Sequence, residues 1–295
     1  MKPAGLIKEK ARETIDYKNG AYRGLSVEAV REIASICSLS LKEVEVAALE
    51  AEVIPLRYAR SMGTVGGPTG QLLLLRCRVA VIGLGGLGGL VAELLARMGV
   101  GTLVLIDGDI FSDSNLNRQI MATEAGLGLQ KANAAAARLS EINGAVEQVV
   151  FAQFATPHNL ERMLVGCTVV IDCLDSLSTR FMLEDCCRRL EIPFVHGAIA
   201  QFYGQVAVIY PEDPGLEAIY GPRDRSREYG IEKELGNPAT TPALVASLQV
   251  QEALKLLLKT GQLLRGRLLF IDTLQGTFET VQLGKGVNDH GSRED

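Results

Sequence analysis

Four glycines fall within six positions, Gly83-Leu84-Gly85-Gly86-Leu87-Gly88, between a short apolar run and an amphipathic one. Glycine there lets backbone N–H groups approach a phosphate closely, at the positive end of a helix. Asp107 closes the next apolar run, at the spacing of an acid that binds ribose hydroxyls. So far the pattern fits a nicotinamide dehydrogenase as well as an adenine-nucleotide enzyme. The segment that follows separates the two. Asp109, Ser114-Asn115-Leu116-Asn117-Arg118-Gln119 and Lys131 bring two cations up beside the ribose acid. Hydride transfer has no evident need of them. A triphosphate does, because Arg118 and Lys131 could neutralise phosphates and the charge that builds on a departing pyrophosphate. Further on, Asp172-Cys173-Leu174-Asp175-Ser176 ends another apolar run. A carboxylate at the C-terminal edge of a parallel strand, Asp175 above all, could hold Mg²⁺ between phosphates. Each residue also has a plainer reading. Lys131 would sit on a solvated helix face, Arg118 would make a structural ion pair, Asp175 would cap a helix, and Asp172 would bond loop backbone.

The elements that must position these groups alternate along the chain. Residues 77–82 read as a buried strand, 87–98 as a helix and 102–106 as a second strand, which is a βαβ unit. A helix over 130–142, a strand over 168–173 and a helix over 178–190 continue the pattern. Strands over 194–196 and 205–210, a long helix over 242–259 and a strand pair over 268–272 and 278–283 complete it. The expected fold is α/β: a Rossmann-like, mostly parallel sheet with helices on both faces, extended by mixed or antiparallel strands. The N-terminal segment reads as a small helical appendage. One helix begins after Ser26, and another after Ser40, where Glu43 three residues on makes a capping box. The Gly-rich stretch 63–70 reads as a flexible turn. The division is then an appendage over 1–55, a main domain over 56–284 and a polar tail over 285–295.

Composition narrows the class. The chain has 295 residues, 47% of them hydrophobic, a net charge of −5 and six cysteines. Residues 1–52 carry eight Lys/Arg against nine Asp/Glu. That balance opposes a DNA-reading helix-turn-helix, which needs a basic excess for phosphate contacts. A docking or dimer-packing appendage is the expectation instead. The acidic chain offers no broad nucleic-acid surface. No apolar run is long enough to span a bilayer. With no signal peptide and no C-x-x-C pair, reduced thiols in the cytoplasm and no zinc site are expected.

Taken together the motifs resemble the ThiF/MoeB/HesA family, relatives of the ubiquitin-activating enzymes. The matching stretches are RYARS at 57–61, RVAVIGLGGLGG at 78–89, GVGTLVLIDGD at 99–109, SNLNRQ at 114–119 and QKA at 130–132. They continue with DCLDS at 172–176, VHGAIAQFYGQV at 195–206, SLQVQEALKLL at 247–257 and GRLLFID at 266–272. The resemblance implies an adenylyltransferase that uses ATP and Mg²⁺. Its substrate would be the terminal carboxylate of a ubiquitin-like sulfur carrier ending in Gly-Gly. Gly83, Gly85, Gly86 and Gly88 would hold the nucleotide, with Asp107, Asp109, Ser114, Asn115, Gln119 and Ser176. Asn115 and Arg118 would contact phosphates with Lys131 beside them, Asp175 would organise Mg²⁺, and Arg60 would reach across a homodimer into the partner's site. The chain departs from the family pattern in lacking its two C-x-x-C zinc pairs, in having no cysteine between Gly221 and Thr241, and in carrying Ser176 where Asn is common. That cysteine-free stretch holds a basic cluster, Arg223, Arg225, Arg227 and Lys233, which could cover an acidic tail or phosphates.

Overall fold

Apolar residues alternate along the central strands, and the alternation divides the protein into two cores on opposite faces of one sheet. Val79, Val81, Leu103, Leu105, Ile171, Val195 and Val206 point to one face, where the long helix Thr240–Leu258 supplies Val245, Ala246, Val250, Ala253 and Leu257. Ala80, Ile82, Val104, Ile106, Val170 and Phe194 point to the other, against Phe181, Leu183 and Cys187 of the helix Leu177–Arg189. The computed structural model describes residues 3–17, 20–223 and 236–283. Arg225, Arg227, Lys233 and the polar tail lie outside the described residues.

Eight strands form the main sheet: β4 Arg78–Ile82, β5 Thr102–Ile106, β6 Glu147–Phe151, β7 Val169–Asp172, β8 Phe194–Ala200, β9 Tyr203–Ile209, β10 Arg267–Asp272 and β11 Thr277–Gln282. Their order is β11-β10-β9-β8-β7-β4-β5-β6. The five strands from β6 to β8 run parallel, and β9, β10 and β11 add on antiparallel. This is the expected Rossmann-like sheet with its antiparallel extension. After β4 the chain builds outward through β5 and β6, then returns to the other side of β4 to lay down β7. The sheet's topological switch point therefore lies between β4 and β7, and ligands of open α/β sheets bind at such a point. No described helix is long and apolar enough to cross a membrane.

The N-terminal segment is more than helical. β1 Glu13–Tyr17 and β2 Gly20–Leu25 form an antiparallel hairpin, and β3 Val53–Pro55 pairs parallel with β2. Helices Val27–Cys37 and Leu41–Glu50 start at the anticipated caps. Ser26 accepts from the Ala29 N–H, and Ser40 and Glu43 complete a capping box. Ile7, Leu25, Val30, Ile33, Val44, Ala48 and Val53 give the unit a small core of its own. The Gly-rich stretch after residue 62 is not a flexible turn. It folds as helices Met62–Val65 and Gly67–Arg76, with Gly66 and Gly67 at φ +89° and +75° making the break. Pro68 suits the first turn of the second helix, and burial of Leu74 and Leu75 holds that helix down.

The helix Leu41–Glu50, the second of the two capped helices, is docked on the main domain. Fully buried Glu45 accepts from the Tyr58 hydroxyl at 2.8 Å and lies 3.0 Å from Arg57 Nε. Asn143 closes the cluster by donating to the Tyr58 oxygen (3.0 Å) and the Ala96 carbonyl (2.9 Å) and by accepting from Arg57. Lys42 reaches Glu147 at 2.7 Å, while Glu43 and Glu50 are the exposed charges. Removing one partner from a buried ion pair strands the other in low dielectric. Glu45→Ala is accordingly expected to cost about 3 kcal/mol. A urea unfolding midpoint equal to that of the wild type would show that the joint is not held by this pair.

Candidate functional site

The loop after β4 is shaped by what surrounds it. Gly83 stands at φ +84°, and a Cβ there would lie 2.6 Å from the Cys173 carbonyl oxygen at the end of β7. A Cβ on Gly88, the first residue of helix Gly88–Arg97, would lie 1.7 Å from the Gly83 carbonyl. Only glycine lets loop, helix and neighbouring strand meet this closely. Asp107, one residue past β5, then ties the loop down. Its Oδ2 accepts from the Leu84 N–H at 2.6 Å, and its Oδ1 accepts from the Asp109 N–H at 2.7 Å. Burial pushes the Asp107 carboxyl above the ordinary carboxylate range, against the lowering effect of these bonds and of nearby Lys131.

Around this loop lies a cleft of about 770 Å³. It crosses the C-terminal ends of the parallel strands, from Asp107 and Phe154 beyond β5 and β6 to Asp175 and Ile199 by β7 and β8. Gly83, Gly85, Gly86, Asp107, Asp109, Ser114, Arg118, Gln119, Lys131 and Asp175 all line it. Thus ten residues singled out in the sequence converge on one hollow, although they come from five separate stretches of chain. Lys131 opens helix Lys131–Ile142; its side chain is 8% exposed, and its ammonium lies 3.0 Å from Asp109, whose side chain is 54% exposed. Arg118 donates to the Ser114 carbonyl (2.7 Å) and to Asn117 Oδ1 (2.9 Å), which holds its guanidinium at the cleft wall. Gln119 is buried beside Gly85, and its Oε1 has no hydrogen-bond partner among the described residues. A buried polar atom facing a cleft calls for a polar ligand or water.

Four singled-out residues do not line the cleft. Gly88 works from beneath, through the close approach to Gly83. Asn115 is buried and braces the Ser112–Gln119 turn, its side chain accepting from the Ser112 N–H at 3.1 Å. Ser176 is the N-cap of helix Leu177–Arg189, accepting from Thr179 N at 3.4 Å, so the capping reading weighed for Asp175 passes to its neighbour. Arg60 is the exposed residue of the short 3-10 helix Leu56–Ser61, outside its own chain's cleft.

Other lining residues were not anticipated. Phe154 is 64% exposed at the ribose-acid end, packed over Gly108, and offers a flat apolar surface. The strand that carries it there, β6, is not among those read from the sequence, so Phe154 gives no signal of its own. Arg180 lines the opposite end and is almost wholly buried. It makes an ion pair with Asp172 at 3.0 Å, and Asp172 also accepts from the Leu174 N–H at 3.0 Å, the loop-backbone bond of its plainer reading. Among the described residues no group of three or more His, Cys, Asp or Glu could hold a metal ion. The cysteines are free and scattered, and burial raises the thiols of Cys77, Cys167, Cys173, Cys186 and Cys187 away from reactivity.

A glycine loop at the switch point, a ribose-spaced acid and two cations on one wall are a nucleotide site of a particular kind, and a family model, "ThiF family", matches residues 58–290. The chain belongs to the ThiF family. This membership makes it an E1-like adenylyltransferase and decides between the two readings of the glycine loop. The SAMP-activating enzyme E1 of Haloferax volcanii is 39% identical over 227 residues, which is 76% of this chain and 84% of that protein. The adenylyltransferase and sulfurtransferase MOCS3 of Sus scrofa is 34% identical over 249 residues, 80% of this ThiF-family chain but 52% of MOCS3. The chain thus spans about half the length of that relative. Among solved structures the fold is shared with PaaA, at a TM-score of 0.67 and 21% identity over 78% of this chain and 82% of that one. It is shared also with E. coli MccB solved with ATP, at 0.61 and 19% over 79% and 72%.

Because the Asp107 carboxyl is raised, its charged form is lost earlier on acidification than that of an ordinary aspartate. A ribose hydroxyl donates best to the ionised form, so ATP affinity is expected to fall as pH drops through this raised value. Asp107→Asn should bind weakly with a flat profile over the same range. Calorimetric titrations from pH 7.5 to 4.5 check this; parallel profiles for the two proteins would remove Asp107 from ligand binding.

Proposed function

We propose that this chain adenylates the C-terminal glycine carboxylate of a small ubiquitin-like sulfur carrier ending in Gly-Gly, consuming ATP and releasing pyrophosphate. The observation that carries this reading is the order of groups along one cleft. A ribose-spaced acid, an aromatic and Lys131 stand at the β5/β6 end, the glycine loop with Arg118 in the middle, and Asp175 at the β7/β8 end. A nucleotide laid along it would have its sugar at Asp107, its phosphates over the loop, and its reacting end toward β8. A carboxylate oxygen of the carrier would attack the α-phosphorus. The bond from that phosphorus to the bridging oxygen would break, and pyrophosphate would leave with the electron pair. The attacking carboxylate is already ionised at neutral pH, so no protein base is required. Catalysis would be positioning plus offset of the growing charge by Arg118 and Lys131.

Asp175 would hold Mg²⁺. A single exposed carboxylate at the cleft edge suits an ion that keeps several waters and takes its other ligands from phosphate oxygens. When bound, the ion supplies Lewis-acid neutralisation of those oxygens. The acceptor end opens toward the antiparallel extension of the sheet. There Tyr203 and Phe270 stack with ring centroids 5.9 Å apart, and both are more than a third exposed. Exposed aromatic surface beside a cleft supports docking of a protein substrate. The names of the relatives, one activating SAMP and one an adenylyltransferase and sulfurtransferase, support a protein-carrier reaction. The same proposal includes a homodimer in which Arg60 completes the partner's site, the segment 1–55 as a docking or dimer-packing appendage, and a cytoplasmic location.

Mg²⁺-dependent ATP–pyrophosphate exchange with small proteins ending in Gly-Gly is expected for one carrier, and is expected to vanish when its last Gly is deleted. ATP binding without exchange for any such carrier would overturn the choice of substrate. For Arg60, chains carrying Arg60→Ala and Arg118→Ala are each expected to be inactive alone and to regain up to half of wild-type exchange when mixed. Mixed dimers without recovery would place Arg60 outside the shared site.

A further inference from the structure

Beneath the acceptor end of the cleft lies a buried polar chain that the reaction as proposed does not use. Asp172, the last residue of β7, is fully buried. Its Oδ1 accepts from the Leu174 N–H at 3.0 Å. Its Oδ2 lies 2.7 Å from His196 Nδ1 and 3.0 Å from Arg180 Nη1. The same Arg180 nitrogen donates to the Gly197 carbonyl at 2.8 Å, and the other terminal nitrogen donates to the Leu174 carbonyl. His196 is also fully buried, and its Nε2 lies 3.0 Å from the Tyr220 hydroxyl, which accepts in turn from Gln205 Nε2. One assignment of protons satisfies the line. Gln205 donates to Tyr220, Tyr220 to His196 Nε2, and His196 Nδ1–H to Asp172. A neutral imidazole fits, because burial lowers the His196 pKa, and Asp172 is held ionised despite its burial by Arg180 and His196. From the opposite face of the sheet Gln249 of the long helix donates to the Asp172 carbonyl at 2.8 Å. Gly197 must be glycine for this, since a Cβ there would lie 2.3 Å from the Gln249 amide carbon.

The cluster acts on Leu174. That residue's N–H is taken by Asp172 and its C=O by Arg180, so the turn after β7 is clamped on both sides of its peptide. Asp175 is the next residue, with an exposed side chain, and Ser176 after it is fixed as a helix cap. The Asp175 carboxylate therefore owes its place to backbone clamped at 174 and 176. Buried ion pairs add little net stability over well-packed apolar residues, so what this one supplies is geometry.

We propose that Arg180 is a positioning residue for Asp175, and that the Gln205–Tyr220–His196–Asp172 chain is the support that holds its guanidinium in register. The proposal rests on Asp175 being the Mg²⁺ ligand of the preceding section. Lys at 180 keeps the charge but cannot bond Asp172, Gly197 and Leu174 at once. Groups that orient a metal ligand typically change metal affinity by about 10–100-fold when altered.

The test is calorimetric binding of ATP to the full chain with and without Mg²⁺, which needs no carrier and no turnover. In the wild type, Mg²⁺ is expected to tighten ATP binding. Arg180→Lys is expected to weaken ATP binding about tenfold more in the presence of Mg²⁺ than in its absence. Tyr220→Phe, which keeps the ring and deletes the hydroxyl, is expected to show the same loss in smaller degree. On an Asp175→Asn background, Arg180→Lys is expected to add nothing. A purely structural Arg180 would lower thermal stability and leave the Mg²⁺ enhancement intact, or would weaken ATP binding equally with and without metal. Either result overturns the proposal, as does an additive effect with Asp175→Asn. If Asp175→Asn alone leaves the Mg²⁺ enhancement untouched, it is the metal-ligand reading that falls, and the two failures are thereby told apart.

Discussion

Three stretches of backbone meet beneath the cleft with no room for a side chain between them. The Gly88 helix start lies against the Gly83 carbonyl, and Gly83 lies against the Cys173 carbonyl. This contact joins β4, its following helix and β7 at the switch point, and the rest of the site takes its dimensions from it. Because the loop turns at Gly83, the Leu84 N–H meets Asp107. Because the loop presses on the end of β7, the turn carrying Asp175 borders the same hollow as Arg118 and Lys131. A side chain larger than hydrogen at Gly83 or Gly88 would force these two strands and the helix apart.

The two faces of the sheet serve different ends. On one, the long helix packs small and branched side chains against the strands, and that core is apolar apart from residues such as Gln249 that reach through to strand backbone. On the other, the apolar core under β4, β5 and β7 gives way beneath β8 and β9 to a buried line of polar groups. Polar groups in a low-dielectric interior are costly unless every one is paired, and when paired they specify one arrangement. Here they lie directly below the acceptor end, where one arrangement matters most.

What could be read from the chain alone followed local rules. The helix caps at Ser26 and Ser40, the glycine loop, the strand-end acid at Asp107 and the parallel sheet each depend on residues close in sequence. So did most of the cleft, since a parallel sheet delivers every strand-end residue to one edge. The failures share a different cause. The hairpin of β1 and β2 carries mixed polar residues that mask its alternation, although Asn19-Gly20 is a turn signal. The run after residue 62 is rich in glycine yet helical, because burial of its leucines outweighs backbone entropy. Arg180, His196 and Tyr220 come from a helix, a strand and a short helix separated by 16 and 24 residues, and no spacing rule links them.

Lys131 is never left bare. Its ammonium is nearly buried, yet it rests against a carboxylate whose own side chain is more than half exposed. The pair is lopsided: Asp109 can swing out into water at small cost, whereas Lys131 cannot. An anion bound at Lys131 would therefore exchange for Asp109 rather than meet an unsolvated charge. Asp109 is in that sense a tethered competitor for any anion at Lys131. Retention of an anion at Lys131 would be opposed from within the site.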